Sequence, residues 1–152
     1  MDRGLLRLLD ANFNRSREGL RVCEDVCRFI LNDSGASSEL KTLRHGVTKS
    51  LKKFPAEDLL GARDVAADGG KGFDPREKTR TGWRDLYFAN LERAKEALRS
   101  LEEVSKLVKP GESAAFKKLR FKLYAHEKKI TRKFQALRDP RPARRGSSRS
   151  HA

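Results

Sequence analysis

Two cysteines, three histidines and a single tryptophan in 152 residues exclude several kinds of protein at the outset. Cys23 and Cys27 lie one helical turn apart with no further cysteine to complete a structural zinc set or a disulfide framework, so both are expected as small core residues. Free thiols suit a reducing compartment. No run of about 18 apolar residues occurs, so no membrane-spanning helix is expected, and the start Met1-Asp2-Arg3-Gly4 lacks the apolar core of a signal peptide. The protein is therefore expected in the cytoplasm. No Ser/His/Asp order, metal-ligating histidine cluster or dinucleotide fingerprint is visible. His45 and His126 stand singly and are expected on helix surfaces.

Acidic residues are also in deficit, 21 against 35 Lys and Arg, for a net charge of +14. The excess is local. Residues 116–149 carry thirteen Lys or Arg against Glu127 and Asp139, which is +11 of the +14. Beyond Leu137 the chain has no large apolar residue, so 1–137 is read as one helical bundle domain and 138–152 as a disordered basic tail. A helical nucleic-acid-binding or scaffold protein, working through the cations from Lys117 to Lys133 and the tail, is the alternative reading. The tail has no aromatic residue on which a base could stack, which argues against nucleic acid.

What the chain does have is a duplication. At an offset of 78, Ala11/Ala89, Asn12/Asn90, Arg15/Arg93, Glu18/Glu96, Leu20/Leu98, Arg21/Arg99, Glu24/Glu102 and Val26/Val104 are identical, and Arg17/Lys95 and Asp25/Glu103 keep their charge. A heptad repeat would match apolar positions without matching Asn, Arg and Glu. At an offset of 76, Leu40, Leu43 and Arg44 meet Phe116, Leu119 and Arg120. Each half is thus one long helix followed by a second. Two copies are too few for a stacked array but suffice for an all-α, pseudo-twofold four-helix bundle built from two duplicated helix pairs.

Leu9, Phe13, Ser16, Leu20, Cys23, Cys27 and Ile30 alternate spacings of four and three, which predicts a first helix over about 4–31. Ser37 or Ser38 would cap a second helix ending near Phe54, before Pro55. Tyr87, Leu91, Ala94, Leu98, Leu101, Ser105 and Val108 repeat the first stripe, and Pro110-Gly111 breaks it. A fourth helix is expected over about 113–137, with Phe116, Leu119, Leu123, Ile130, Phe134 and Leu137 as its apolar positions. The segment 55–82 is long for a helix connection and is expected to be an irregular functional loop. It contains Arg63, Asp64, Asp68, Gly70 and Lys71, a glycine-rich stretch beside a cation that can cradle phosphate but is no Walker A sequence.

With Leu20 at zero and about 100° per residue, the apolar stripe of the first helix centres near −30°, with Asn12 near −80°, Arg17 near 60° and Glu24 near 40°. All three border the core. If the repeated helices face each other, Asn12, Arg17 and Glu24 and their counterparts Asn90, Lys95 and Glu102 are expected to converge on one cleft. Guanidinium groups grip phosphate oxygens bidentately and carboxylates hold Mg²⁺, so the mixture points to phosphoryl chemistry, with Glu24 and Glu102 as candidate metal ligands.

The run from Asp10 to Phe29, the pair Arg63-Asp64 with Asp68 and Gly70, and the run from Asn90 to Glu103 resemble the small helical hydroxymethylpyrimidine-phosphate kinases that often sit as a domain ahead of thiamine-phosphate synthase. Gly69 stands where that pattern has an aliphatic residue. The resemblance implies transfer of the γ-phosphoryl group of ATP, with Mg²⁺, to hydroxymethylpyrimidine monophosphate, and thiamine-phosphate synthase as the downstream enzyme. Synthase activity itself is not expected of this chain. On this reading Arg63, Asp64 and Asp68 are catalytic. Asn12, Arg15, Arg17, Glu18, Arg21, Asn90, Arg93, Gly70 and Lys71 bind substrate or phosphate, the loop folding over the cleft.

Overall fold

The structure, a computed structural model, describes residues 1–66 and 79–137; the sequence-predicted tail lies outside them. Among the described residues there are five α-helices and no strand, an all-α bundle. Helix α1 (Arg3–Asp25) opens where the Asp2 carboxylate accepts the Leu5 N–H at 3.0 Å. Its stripe is buried as expected from Leu9 to Cys27. After Asp25 the coil widens into a π-helical turn, Val26–Ile30, and Asn32 stops the run at φ 50°, a left-handed conformation that Asn tolerates. The wider turn breaks the four-three phase. Ile30 is consequently 47% exposed instead of inward.

Helix α2 (Ser34–Leu51) is capped by Asp33, whose carboxylate accepts the Ala36 N–H at 2.9 Å, and not by Ser37 or Ser38. With Asn32 left-handed, Asp33 is the first extended residue, and a strong N-cap is met a turn early. At the other end the Lys53 and Phe54 N–H groups donate to the Ser50 and Leu51 carbonyls, both at 3.0 Å, and this tightened turn drops Phe54 into the core. The segment read as irregular begins with a short helix, α3 (Ala56–Ala62), which Glu57 and Asp58 favour in its first turn. Leu59 and Ala62 bury it against α1. Helices α4 (Trp83–Val108) and α5 (Pro110–Leu137) are joined by Lys109 alone. Pro110 opens α5 three residues earlier than expected, since a proline lacks only an N–H that a first helical turn leaves unused.

α1 packs on α2, α4 on α5, α1 on α4 and α2 on α5, so the four long helices enclose one core, with α3 resting on α1. The crossing of α1 and α4 is antiparallel and close. A Cβ on Gly19 would lie 2.6 Å from the Asn90 carbonyl oxygen, and one turn on the Cys23 thiol donates to the Tyr87 carbonyl at 3.3 Å. The duplication recurs in detail. Asn12 and Asn90 each donate Nδ2 to the carbonyl four residues back, Leu8 at 2.9 Å and Leu86 at 2.8 Å.

His45 is exposed as expected, but His126 is buried, because its position on α5 faces Tyr87 across the core. Glu39 can only accept from the neutral ring, so His126 donates Nδ1–H to it at 2.9 Å and accepts the Tyr87 O–H on Nε2 at 2.7 Å. Burial holds the His126 pKa below its ordinary value, outweighing the attraction of Glu39.

Replacing Gly19 with Ala is expected to lower the unfolding free energy by about 1–3 kcal/mol, because the added carbon meets backbone and the helices must part. Gly111→Ala, where nothing lies within 4 Å, serves as the control in urea melts and should be neutral or slightly stabilising. His126 contributes its full stability above the unfolded pKa of about 6.5 and loses it as pH falls through the lower folded value. Urea midpoints should therefore drop between about pH 7 and pH 5, and His126→Gln should flatten that drop.

Candidate active site

The close approach at Gly19 creates a groove on the outer side of the α1–α4 pair, away from α2 and α5. Because the helices cross antiparallel, with Gly19 beside Asn90 and Cys23 beside Tyr87, the axis relating the repeats passes near Ser16 and its counterpart Ala94. A cleft of about 650 Å³ lies there. Asn12 and Arg15 line it from α1, and their repeat partners Asn90 and Arg93 line it from α4. Asn12 is buried and Asn90 half-buried, while both arginines are exposed. The bond from each Asn to its own helix fixes the amide and leaves its second N–H and its carbonyl oxygen unengaged by that bond.

Four polar lining residues are not among the site residues expected from the sequence: Glu92, Glu96 and Ser100 on α4, and Arg80 just before it. Glu96 was legible as the counterpart of Glu18. Arg80 carried no signal, since its repeat position is occupied by Asp2. The cleft combines three guanidinium groups with two carboxylates, a set suited to phosphates and a hydrated divalent cation.

Arg17, Glu18 and Arg21 do not join this cleft. They line a separate pocket of about 460 Å³ on α1 with Asn14 and Arg44, and the Nε of Arg17 is buried there without a hydrogen-bond partner. Lys95, the counterpart of Arg17, is bonded to Glu127 at 2.8 Å. The expected convergence of Arg17 with Asn12 is thus corrected. Arg63 closes a bidentate pair on Asp10, Nε to Oδ2 and Nη2 to Oδ1 both at 2.7 Å, and this pair raises the Arg63 pKa. It ties the end of α3 to α1. Asp64 is half-buried beside it, and Asp68, Gly70 and Lys71 lie outside the described residues.

A model of the ThiD2 family matches residues 7–129, most of the chain. The chain belongs to the ThiD2 family. It is 41% identical over 125 residues to a thiamine-phosphate synthase of Nostoc punctiforme, covering 82% of this chain and 34% of that protein. To thiamine-phosphate synthases of Synechocystis and Rhodopirellula baltica it is 44% and 36% identical, covering 81% and 89% of this chain and 35% and 36% of theirs. The chain spans about a third of the length of the curated relatives it matches. No solved structure matches it.

In this ThiD2 chain the two glutamates expected as metal ligands have other partners. Glu24 is buried and accepts from Arg44 Nε at 2.9 Å, with Arg21 at 3.7 Å; Glu102 is buried and accepts from Arg120 Nε at 2.9 Å, with Arg99 at 3.2 Å. Arg44 and Arg120 are themselves repeat partners. The same clamp therefore ties the first helix of each repeat to the second, and among the described residues no group of three metal-ligating side chains forms. Glu24→Ala would leave Arg44, whose side chain is only 19% exposed, without its carboxylate. It is expected to cost about 3 kcal/mol in a denaturant melt, whereas Glu18→Ala, at an exposed position, should cost little.

Proposed function

We propose that the α1–α4 cleft transfers the γ-phosphoryl group of ATP to the phosphate of hydroxymethylpyrimidine monophosphate, forming the diphosphate for thiamine biosynthesis. The observation that carries this reading is the convergence of Asn12, Arg15, Asn90 and Arg93, one Asn and one Arg from each repeat, on one cleft. Membership of the ThiD2 family and relatives named thiamine-phosphate synthase support the pathway.

The accepting atom in such a reaction is a phosphate oxygen, and a phosphate monoester with a second pKa of about 6 is already largely ionised at neutral pH. No side chain has to remove a proton. The protein's task is to bring two anions together in line, which is positioning and neutralisation, the tasks to which guanidinium groups are suited. Arg15, Arg93 and Arg80 serve the phosphates. Asn12 and Asn90 orient the ligands through amides fixed on their own helices.

Mg²⁺ keeps several waters and is held by one or two carboxylates together with nucleotide phosphates, and Glu96 fits that need better than the arginine-clamped Glu24 and Glu102 or than Glu92, which is paired with Lys95. When bound it would neutralise charge on the phosphates of ATP. Arg63 is a positioning residue through its grip on Asp10, and Asp64 beside it, a carboxylate, would serve the phosphates only through a bound cation.

The nucleic-acid alternative loses three of the eight cations of α5 to acidic partners. Arg120, Lys129 and Lys133 are paired with Glu102, Glu39 and Asp33. Phosphorus NMR of the protein with ATP, Mg²⁺ and hydroxymethylpyrimidine phosphate should show ADP and a pyrimidine diphosphate accumulating together. Arg93→Ala is expected to cut the rate by about a hundredfold or more with an unchanged melting temperature. ADP formation indifferent to the pyrimidine, or none at all, would sink the proposal.

A further inference from the structure

The cleft sits on the pseudo-twofold axis, yet the two sides of that axis are not equal. Asn12 and Arg15 are matched by Asn90 and Arg93, so each repeat presents one amide and one guanidinium. Beyond that shared pair, only the α4 side adds groups. Glu96 lines the cleft while its counterpart Glu18 lines the other pocket, Glu92 and Ser100 line it while Asn14 and Val22 face that other pocket, and Arg80 replaces an acidic counterpart, Asp2.

We infer that the axis divides the cleft into two phosphate half-sites, one per repeat: Asn12 and Arg15 seat the monophosphate acceptor, and Asn90 and Arg93 with Arg80 and Glu96 seat the metal-bound nucleoside triphosphate. This rests on the kinase reading above and assigns its two substrates to places. The chemistry explains why a duplicated site suits the reaction, since donor and acceptor both present phosphate. An acceptor phosphate oxygen attacks the γ-phosphorus, the bond from that phosphorus to the β,γ-bridging oxygen breaks, and ADP leaves with the electron pair. No proton need move when the acceptor is the dianion. A triphosphate carries more charge than a monophosphate and arrives with a cation, and the α4 side is the one with the third arginine and the carboxylates.

The division is tested by measuring the binding of each ligand alone, hydroxymethylpyrimidine monophosphate and the Mg²⁺ complex of a non-hydrolysable ATP analogue, by titration calorimetry. Wild type, Arg15→Ala and Arg93→Ala are compared, with melting temperatures as the folding control and Arg15→Lys and Arg93→Lys as the conservative pair. Arg15→Ala should weaken the pyrimidine monophosphate about tenfold or more and leave the ATP analogue within about twofold, and Arg93→Ala should do the reverse. The Lys variants should recover part of each loss by keeping the charge without the bidentate fork. If both alanine variants weaken the same ligand, or if the pattern is inverted, the division is overturned. Wild-type turnover separates the two claims. A wild-type protein that forms no pyrimidine diphosphate refutes the kinase reading, whereas normal turnover with the wrong binding pattern refutes only the half-sites.

Discussion

The antiparallel crossing of α1 and α4 is the constraint on which the rest depends, and it exists because position 19 has no side chain. With the Asn90 carbonyl 2.6 Å from where a Cβ would stand, any other residue there would push the helices apart. That contact sets the depth of the cleft on the outer side of the pair and brings Asn12 and Arg15 to the same groove as Asn90 and Arg93. The counterpart position, Ala97, is nearly as small, is buried and lines the cleft, so both halves of the crossing are kept narrow.

Stability and the proposed chemistry are divided between the two margins of the same helices. On the margin facing α2 or α5, Glu24 and Glu102 are locked by Arg44 and Arg120, joining the two helices of each repeat through identical ion pairs. The margin facing the partner repeat carries exposed arginines with no acidic clamp across the core. A duplicated helix pair thereby yields two copies of a structural lock and two copies of the proposed phosphate receptor. The locks lie within each repeat and the receptors meet between them.

The duplication made the four long helices and their inward faces readable from the residues, and it also named the pair Asn12 and Asn90. The error about the site was one of geometry already present in the helical angles. Asn12 near −80° and Arg17 and Glu24 near 40–60° lie on opposite sides of a stripe centred near −30°, so they could not meet in one groove. Arg15 falls near −140°, on the Asn12 side. Periodicity shows which residues border the core but not which neighbour covers each border. The π-helical turn at Val26–Ile30 breaks the period that predicted Ile30, and the burial of His126 depends on Tyr87 and Glu39, 39 and 87 residues away in the chain. α3 was hidden because seven residues after a proline are too few to establish a stripe.

The central claim is that both phosphates of the reaction meet in the groove between the repeats, and the most direct measurement is a crystal structure of the chain with the Mg²⁺ complex of a non-hydrolysable ATP analogue and hydroxymethylpyrimidine monophosphate. The account predicts both phosphate groups between α1 and α4, on opposite sides of the axis near Ser16 and Ala94, with Arg15 on one and Arg93 on the other. Phosphates seated on the α2–α5 face or along the basic side of α5, with the α1–α4 groove filled only by water, would contradict it.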